Sequence, residues 1–427
     1  MLYQPEIQNA IDSSLDLLKR TCRSDNGTGK YGWYHYLDDP GAGVTASAVA
    51  LFCFNLADHH FEETDKVLSY LKSKQVISDD KLFHGGWPIR TTTDFPIVES
   101  TAWIVRTLSM CKVYFNSRAP DLEAGYRWII NNQNEDHGWG SYKGHASRTF
   151  LTSLALLALA SVNKFSKELY LGREWLLNHR HSGVPAWGAV PGSPPTILHT
   201  SFALLSLHEV PNGISQSDLT ASLEWLEQNL DTRNMTEQLT QAEEYDVPYV
   251  TSGMSLVFQN SLPHFCLPIA AYTLLKLSNT PISPHTVQAI KYILAEQQKE
   301  GHWVIQRNPS RPSIWALWPF LATLTECLRV TGMKPNTKVT HIEKTVLIQP
   351  LTETHNPLFI IVKQNLGLLA HKLRSNFGWL ILVLFVLGGA LLVQSKIFSW
   401  FSWEQFLLSL LFPIILLILQ YVLDGKK

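Results

Sequence analysis

Five short runs in this chain are apolar on nearly every face: TASAVALF (45–52), TAWIVRTL (101–108), TSLALLAL (152–159), TSFALLSL (200–207) and AAYTLLKL (270–277). A weaker sixth is RPSIWALWPFLATL (311–324). The five recur 48 to 70 residues apart. A helix with no polar stripe has to be covered on all sides. Between these runs lie charged, amphipathic segments that carry an aromatic at an equivalent place: Tyr70, Trp128, Trp175, Trp225 and Tyr292. Residues 8–22 supply the first such segment without the aromatic. Self-similarity at this period marks a repeat architecture. Six alternations of a half-wet helix with a fully buried one predict two concentric rings, an all-α α6/α6 toroid over residues 1–335.

Gly and Trp punctuate the turns from half-wet to buried segments: YGW (31–33), HGGW (84–87), DHGWG (136–140), PAWG (185–188) and EGHW (300–303). Gly accommodates a tight backbone there and Trp fills the gap between repeats. The fifth repeat lacks the Trp and carries a long acidic insertion, Thr236 to Asn260. An insertion in one repeat is where function is often added, so residues 236–260 are the candidate surface for a protein partner.

Charged residues make up 17% of the chain, against roughly 25% in an ordinary soluble domain. The shortfall points to the C-terminus. Phe377–Val393 has no charge, and Phe406–Leu423 is broken only by Ser409, Pro413 and Gln420. Each run is long enough to cross most of a ~30 Å hydrocarbon layer as a helix. Residues 376–427 are therefore expected to form two transmembrane helices, with 336–375 a linker whose segment 357–374 is either an amphipathic, interfacial helix or an ordinary connecting one. Lys363, His371, Lys372 and Arg374 precede the first run, and Lys426 and Lys427 follow the second. The positive-inside bias then places the toroid and both termini in the cytoplasm of a two-pass membrane protein. A net charge of −1 offers no footprint for nucleic acid.

The repeats resemble those of terpenoid cyclases and protein prenyltransferases. Residues 133–140, Gln-Asn-Glu-Asp-His-Gly-Trp-Gly, are similar to the recurring Gln-to-Gly-Trp element of squalene-hopene cyclases, and Gln298 to Trp303 matches its Gln-x2-Gly-x-Trp form. The resemblance implies a toroid whose inner helices run parallel, and a polyprenyl lipid as ligand or substrate. It also shows what has departed. Where squalene-hopene cyclases carry Asp-x-Asp-Asp-Thr-Ala, this chain reads Ile97-Val98-Glu99-Ser100-Thr101-Ala102. Glu99 falls on the middle acid and Thr-Ala is kept. Protonating an alkene needs a strong acid, and a lone buried Glu is a weaker one. The prenyltransferase zinc motif Asp-x-Cys is absent, so no metal and no cofactor are expected.

Parallel inner helices would gather Asp39, Asp94, Glu99, Arg148, His199, His264 and Arg311 at one mouth. Glu99 and Asp94 are the candidate catalytic acids, and Arg148 and Arg311 could hold a diphosphate or carboxylate. Trp103, Phe150, His199, Phe202, His264, Phe265 and Trp315 are the candidate lining for an isoprenoid or a carbocation, or else the aromatic filling of the barrel core. Two readings remain open at this point. One is a membrane-anchored, cyclase- or transferase-like protein that binds or transforms a polyprenyl or membrane lipid. The other is a non-catalytic toroid that binds a protein or peptide, with the C-terminal hairpin as anchor or effector.

Overall fold

The computed structural model describes residues 2–24, 30–89, 95–111, 120–230, 240–251, 254–304 and 311–332. The chain divides into two compact units, Met1–Val339 and Thr340–Lys427, and every described residue lies in the first.

Twelve helices are found among these residues. The apolar runs form α2 (Val44–Leu56), α4 (Val98–Met110), α6 (Thr149–Val162), α8 (Ile197–Glu209), α10 (Cys266–Leu277) and α12 (Ile314–Val330). The amphipathic segments form α1 (Gln4–Thr21), α3 (Thr64–Ser73), α5 (Leu122–Asn131), α7 (Lys167–Asn178), α9 (Gln216–Asn229) and α11 (Pro284–Ala295). Each inner helix packs on the next, and α12 packs back onto α2, which closes the ring. The outer helices lie against this ring, so α6 is buried from Thr149 to Ala160 without interruption. Two antiparallel pairs complete the unit: the short β1 (Arg23–Ser24) with β2 (Tyr31–Gly32), and the long β3 (Thr240–Thr251) with β4 (Met254–Phe265).

The Gly-Trp turns act as bolts between the rings. The indoles of Trp33, Trp87, Trp139, Trp187 and Trp303 are buried. Each donates its Nε1–H to a carbonyl of the preceding outer helix, at Leu18, Leu71, Ile129, Leu176 and Ile293 respectively, over 2.7–2.9 Å. The backbone N–H of Trp87, Trp139 and Trp187 donates to the hydroxyl of Thr101, Thr152 and Thr200 on the following inner helix. In the first repeat Ser47 takes this role for Trp33, so the repeat register there runs through Ser47 and not Thr45. A glycine in the outer helix makes room for the indole. A Cβ on Gly172 would stand 2.5 Å from the Trp139 ring, and one on Gly125 would stand 2.7 Å from that of Trp87.

Ring closure repeats the same chemistry. Gln133 donates to Glu168 O at the start of the next outer helix, and Gln297 donates to Ala10 O of α1. Gln297, one position before Gln298, therefore performs the repeat's function in the last turn. Inner-helix amides that lack a side-chain cap are taken by a loop of the following repeat: Val98 N–H by Ser141 O, Thr149 N–H by Ala189 O and, across the seam, Ile314 N–H by His35 O.

Two expectations change. The insertion is not a loop: residues 240–251 and 254–265 form a twelve-pair antiparallel ladder running from Thr240 opposite Phe265 to Thr251 opposite Met254. The two-pass membrane placement, with the toroid and both termini cytoplasmic, is corrected as well, because among the described residues no helix is long and apolar enough to cross a membrane. The longest inner helix, α12, has 17 residues and an internal Pro319. Its apolar surface is spent on neighbouring helices. Linker 336–375, its segment 357–374 and the runs within 376–427 lie outside the described residues.

Candidate active site

The first turns of the inner helices converge at one end of the ring, and the hairpin reaches that end. Ser141, in the turn after α5, donates its hydroxyl to Asp246 O on β3 over 2.7 Å. Side chains alternate across a strand. Glu243, Tyr245 and Val247 are accordingly buried while Glu244 and Asp246 are exposed. The hairpin thus delivers a carboxylate and a phenol to the mouth.

Glu243 is the better-held acid. Arg148, at the N-cap of α6, donates Nε–H to its Oε1 over 2.6 Å, and His199, in the first turn of α8, reaches its Oε2 over 2.7 Å. The second ring nitrogen of His199 lies 2.7 Å from the Thr196 hydroxyl. Burial by itself would raise the Glu243 pKa, but the His199 bond and charge, with those of Arg148, hold it below the ordinary carboxylate range. Arg148, expected to be free for a substrate anion, is therefore already paired.

Glu99 behaves in the opposite way. It opens α4 and is fully buried. Its neighbours fix its direction: Ser100 meets Thr45 of α2, and Thr101 accepts from Trp87 on the outer side. Burial pushes its pKa up to about 7; a hydrogen bond from Tyr245 lowers it and the Glu243 charge raises it. The Tyr245 O–H donates to Oε2, while Oε1 has no hydrogen-bond partner. Two carboxyls whose surroundings push their pKa values apart make a proton-holding acid beside a fixed anion. The retained Thr-Ala has a different origin. Thr101 does what Thr152 and Thr200 do for their own tryptophans, so that dipeptide belongs to the repeat and not to the chemistry.

Below the mouth the aromatics meet across the ring axis. Trp103 of α4 lies 5.3 Å from Phe52 of α2 and 5.1 Å from Trp318 of α12, and Phe202 of α8 lies 6.2 Å from Trp318. Trp103 also contacts Trp315, and Phe150 contacts Phe202 and His264. Edge-on geometry dominates, as the ring quadrupoles favour. Two polar atoms in this layer, Trp103 Nε1 and His264 Nε2, are buried with no hydrogen-bond partner. Burial drives the His264 pKa down to about 4, leaving a neutral imidazole.

The remaining candidates go elsewhere. Phe265 packs on Phe320, which stacks on Trp303 at the seam between the rings. Arg311 is held bidentately by Asp38, pairs with Asp39 and lies 4.3 Å over the Tyr36 ring, where it clamps the closure of the toroid. Asp94 lies outside the described residues. Among the described residues no three His, Cys, Asp or Glu side chains are placed to hold a metal ion. Sequence reasoning missed Glu243 and Tyr245. The alternation Glu-Glu-Tyr-Asp-Val at 243–247 was the available signal, a period of two inside a segment read only for its charge.

A comparison with known protein families gives no match. Solved structures do resemble the toroid. A protein from Actinoplanes matches at 14% identity and a TM-score of 0.51, covering 76% of this chain and 99% of that one. The type II terpene cyclase MstE from Scytonema matches at 12% and 0.50, covering 77% of this chain and 100% of that one. The GH76A alpha-1,6-mannanase from Salegentibacter matches at 8% and 0.48, with 76% and 99% covered. The fold is a terpenoid-cyclase-like α–α toroid. The narrower likeness to squalene-hopene cyclases is not carried by these structures, and at such identities the match speaks for fold alone.

Proposed function

We propose that the toroid takes an isoprenoid chain into its aromatic interior and that Glu99 is the proton donor acting on it. The observation that carries this reading is Glu99 itself: a fully buried carboxyl with one oxygen unpartnered, four residues before Trp103 on the same helix. A donor that ionises near pH 7 is matched to an oxygenated chain end, such as an epoxide, better than to a bare alkene. The proton passes from Glu99 to the epoxide oxygen, the C–O bond opens, an internal alkene attacks the cationic carbon, and the ring-closed cation gives up a proton to water to leave a cyclised isomer. The Tyr245 hydroxyl steadies the carboxylate left behind. The faces of Trp103, Phe202 and Trp318 suit the travelling positive charge. The name of the Scytonema neighbour, a type II terpene cyclase, is in keeping with this.

The second reading, a non-catalytic toroid that binds a protein or peptide, draws on Val257 and Phe258, which are exposed on β4. One experiment separates the two. Wild type and Glu99→Gln are incubated with the terminal epoxide of geranylgeraniol, and extracts are analysed by mass spectrometry and chromatography. A cyclised isomer of unchanged mass, formed by wild type and lost in Glu99→Gln, is expected. No retained isoprenoid and no Glu99-dependent product would leave the partner-binding reading in its place.

A further inference from the structure

No ligand entering at the mouth reaches Glu99 while the β3–β4 hairpin is seated. The Glu99 carboxyl is buried at both oxygens, with the Tyr245 hydroxyl on Oε2. Glu243, Tyr245 and Val247 point to one face of β3, and all three are buried. The cover over the acid is therefore the hairpin itself, an element that belongs to one repeat only and takes no part in closing the ring.

The way the hairpin is held sets it apart from the helices. β3 and β4 pair with each other and, among the described residues, with no further strand. A lone two-stranded hairpin is marginal in water, so this one owes its order to what it docks on. Most of that docking is polar: Arg148 and His199 hold Glu243, Ser141 holds Asp246 O, and Tyr245 holds Glu99. Val257, Phe258 and Gln259 are exposed in succession, so this stretch of β4 is open on both faces and rides on β3. The platform, by contrast, is pinned. Ser141 O accepts Val98 N–H, and the Asn134 amide ties His145 O and the Ser147 hydroxyl. At its far end β4 runs without a loop into α10, where Phe265 is wedged against Phe320. That join is a fixed pivot, since hinges lie at element ends. Polar contacts are exchanged for water at small net cost, whereas parting the inner helices exposes their apolar faces.

We infer that the β3–β4 hairpin is a lid over the Glu99 mouth, latched by Ser141, Arg148 and His199, and that Tyr245 meets Glu99 only when the lid is shut. Open, it admits a chain to the aromatic interior and releases a ring product too bulky to leave otherwise. Shut, it places the Tyr245 hydroxyl on Oε2, leaves Oε1 to the ligand and keeps bulk water away from the reacting chain. Ser141 is then a positioning residue, which acts on the acid through the strand it holds. The movement stands on the hairpin's own contacts; what passes beneath it rests on the isoprenoid reading.

The test is amide hydrogen exchange of the full chain, followed by mass spectrometry, for wild type, Ser141→Ala and Tyr245→Phe without any ligand. Undocked, the hairpin loses its ladder, so its amides report each opening. In wild type, peptides from 240–251 and 254–265 are expected to exchange together, about a hundredfold or more faster than those of α6 and α8. Each substitution removes one latch or seating bond and should speed the hairpin about five- to tenfold while leaving α6 and α8 unchanged. Should Ser141→Ala not fold, Tyr245→Phe and the wild-type comparison still decide. Hairpin amides as slow as those of α6, or a substitution that speeds hairpin and ring alike, overturn the lid. Stopped-flow tryptophan fluorescence with geranylgeraniol then tests the route. Its uptake rate should level off as concentration rises, at a plateau that is higher in Ser141→Ala. A rate that stays proportional to concentration overturns the lid as the entrance and leaves the isoprenoid reading standing. A fast hairpin with no uptake of geranylgeraniol removes that reading and keeps the lid.

Discussion

Replacing Glu99 by Gln isolates the cost of ionising a carboxyl inside the toroid. The ordinary Glu value is 4.5, and in the folded chain burial pushes it to about 7. Between these pH values the folded state holds a proton that the unfolded state has released, so stability falls as pH rises. The span of about 2.5 pH units at 1.36 kcal/mol each amounts to about 3 kcal/mol. Below the lower value both states are protonated and the contribution is whole; above the upper value both are ionised and it has gone. Gln cannot ionise and keeps an acceptor for Tyr245. Denaturant unfolding of both proteins, followed by tryptophan fluorescence in half-unit steps from about pH 4 to 8.5, gives the difference directly. The stability of Glu99→Gln relative to wild type should rise by about 3 kcal/mol across the window and stay level outside it. Parallel curves throughout would refute the reasoning, since they would mean that Glu99 ionises in the fold as easily as in water.

Two other perturbations probe the frame around that acid. Glu243→Gln leaves Arg148 and His199 without their buried anion and should cost about 3–5 kcal/mol in unfolding free energy. It should also move the Glu99 window to lower pH, because a like charge has been removed. Trp139→Phe deletes the indole N–H that meets Ile129 O at 2.8 Å and opens a small void. A loss of about 2–4 kcal/mol is expected by thermal or chemical unfolding, while Trp225→Phe, on a partly buried outer face, should cost far less.

The ring was legible in the sequence because burial leaves a trace in composition. Helices covered on every side, such as α2 and α6, have no room for a polar stripe, and their partners on the rim show one. The Gly-Trp turns were legible for the same reason, since each repeats one packing problem. Register was harder to read: Thr45 looks like Thr101 and Thr152 in a string of letters, but Ser47 carries the bond to Trp33, and only the turn geometry distinguishes them. The candidate site was legible where it lies on a repeated element and obscure where it does not. Glu99, Arg148 and His199 occupy helix starts, and His264 lies two residues before one, at the end of β4. Glu243 and Tyr245 come from an insertion with no counterpart in the other repeats, so no internal comparison could point to them. Arg311 looked available because sequence does not reveal who already holds a charge.

The bond from the Ser14 hydroxyl to the Gly301 carbonyl joins residues 287 positions apart, and with Gln297 it fastens the first outer helix to the last turn. An open solenoid can fray from either end and keep its middle. Here the first helix has no complete partner until nearly the whole unit has been synthesised, so the nascent chain must carry its exposed leucine-rich rods unshielded while it waits. Shortening the unit by one helix pair would remove two interfaces at once, which makes loss of the final pair a failure of the entire circle and not of one link.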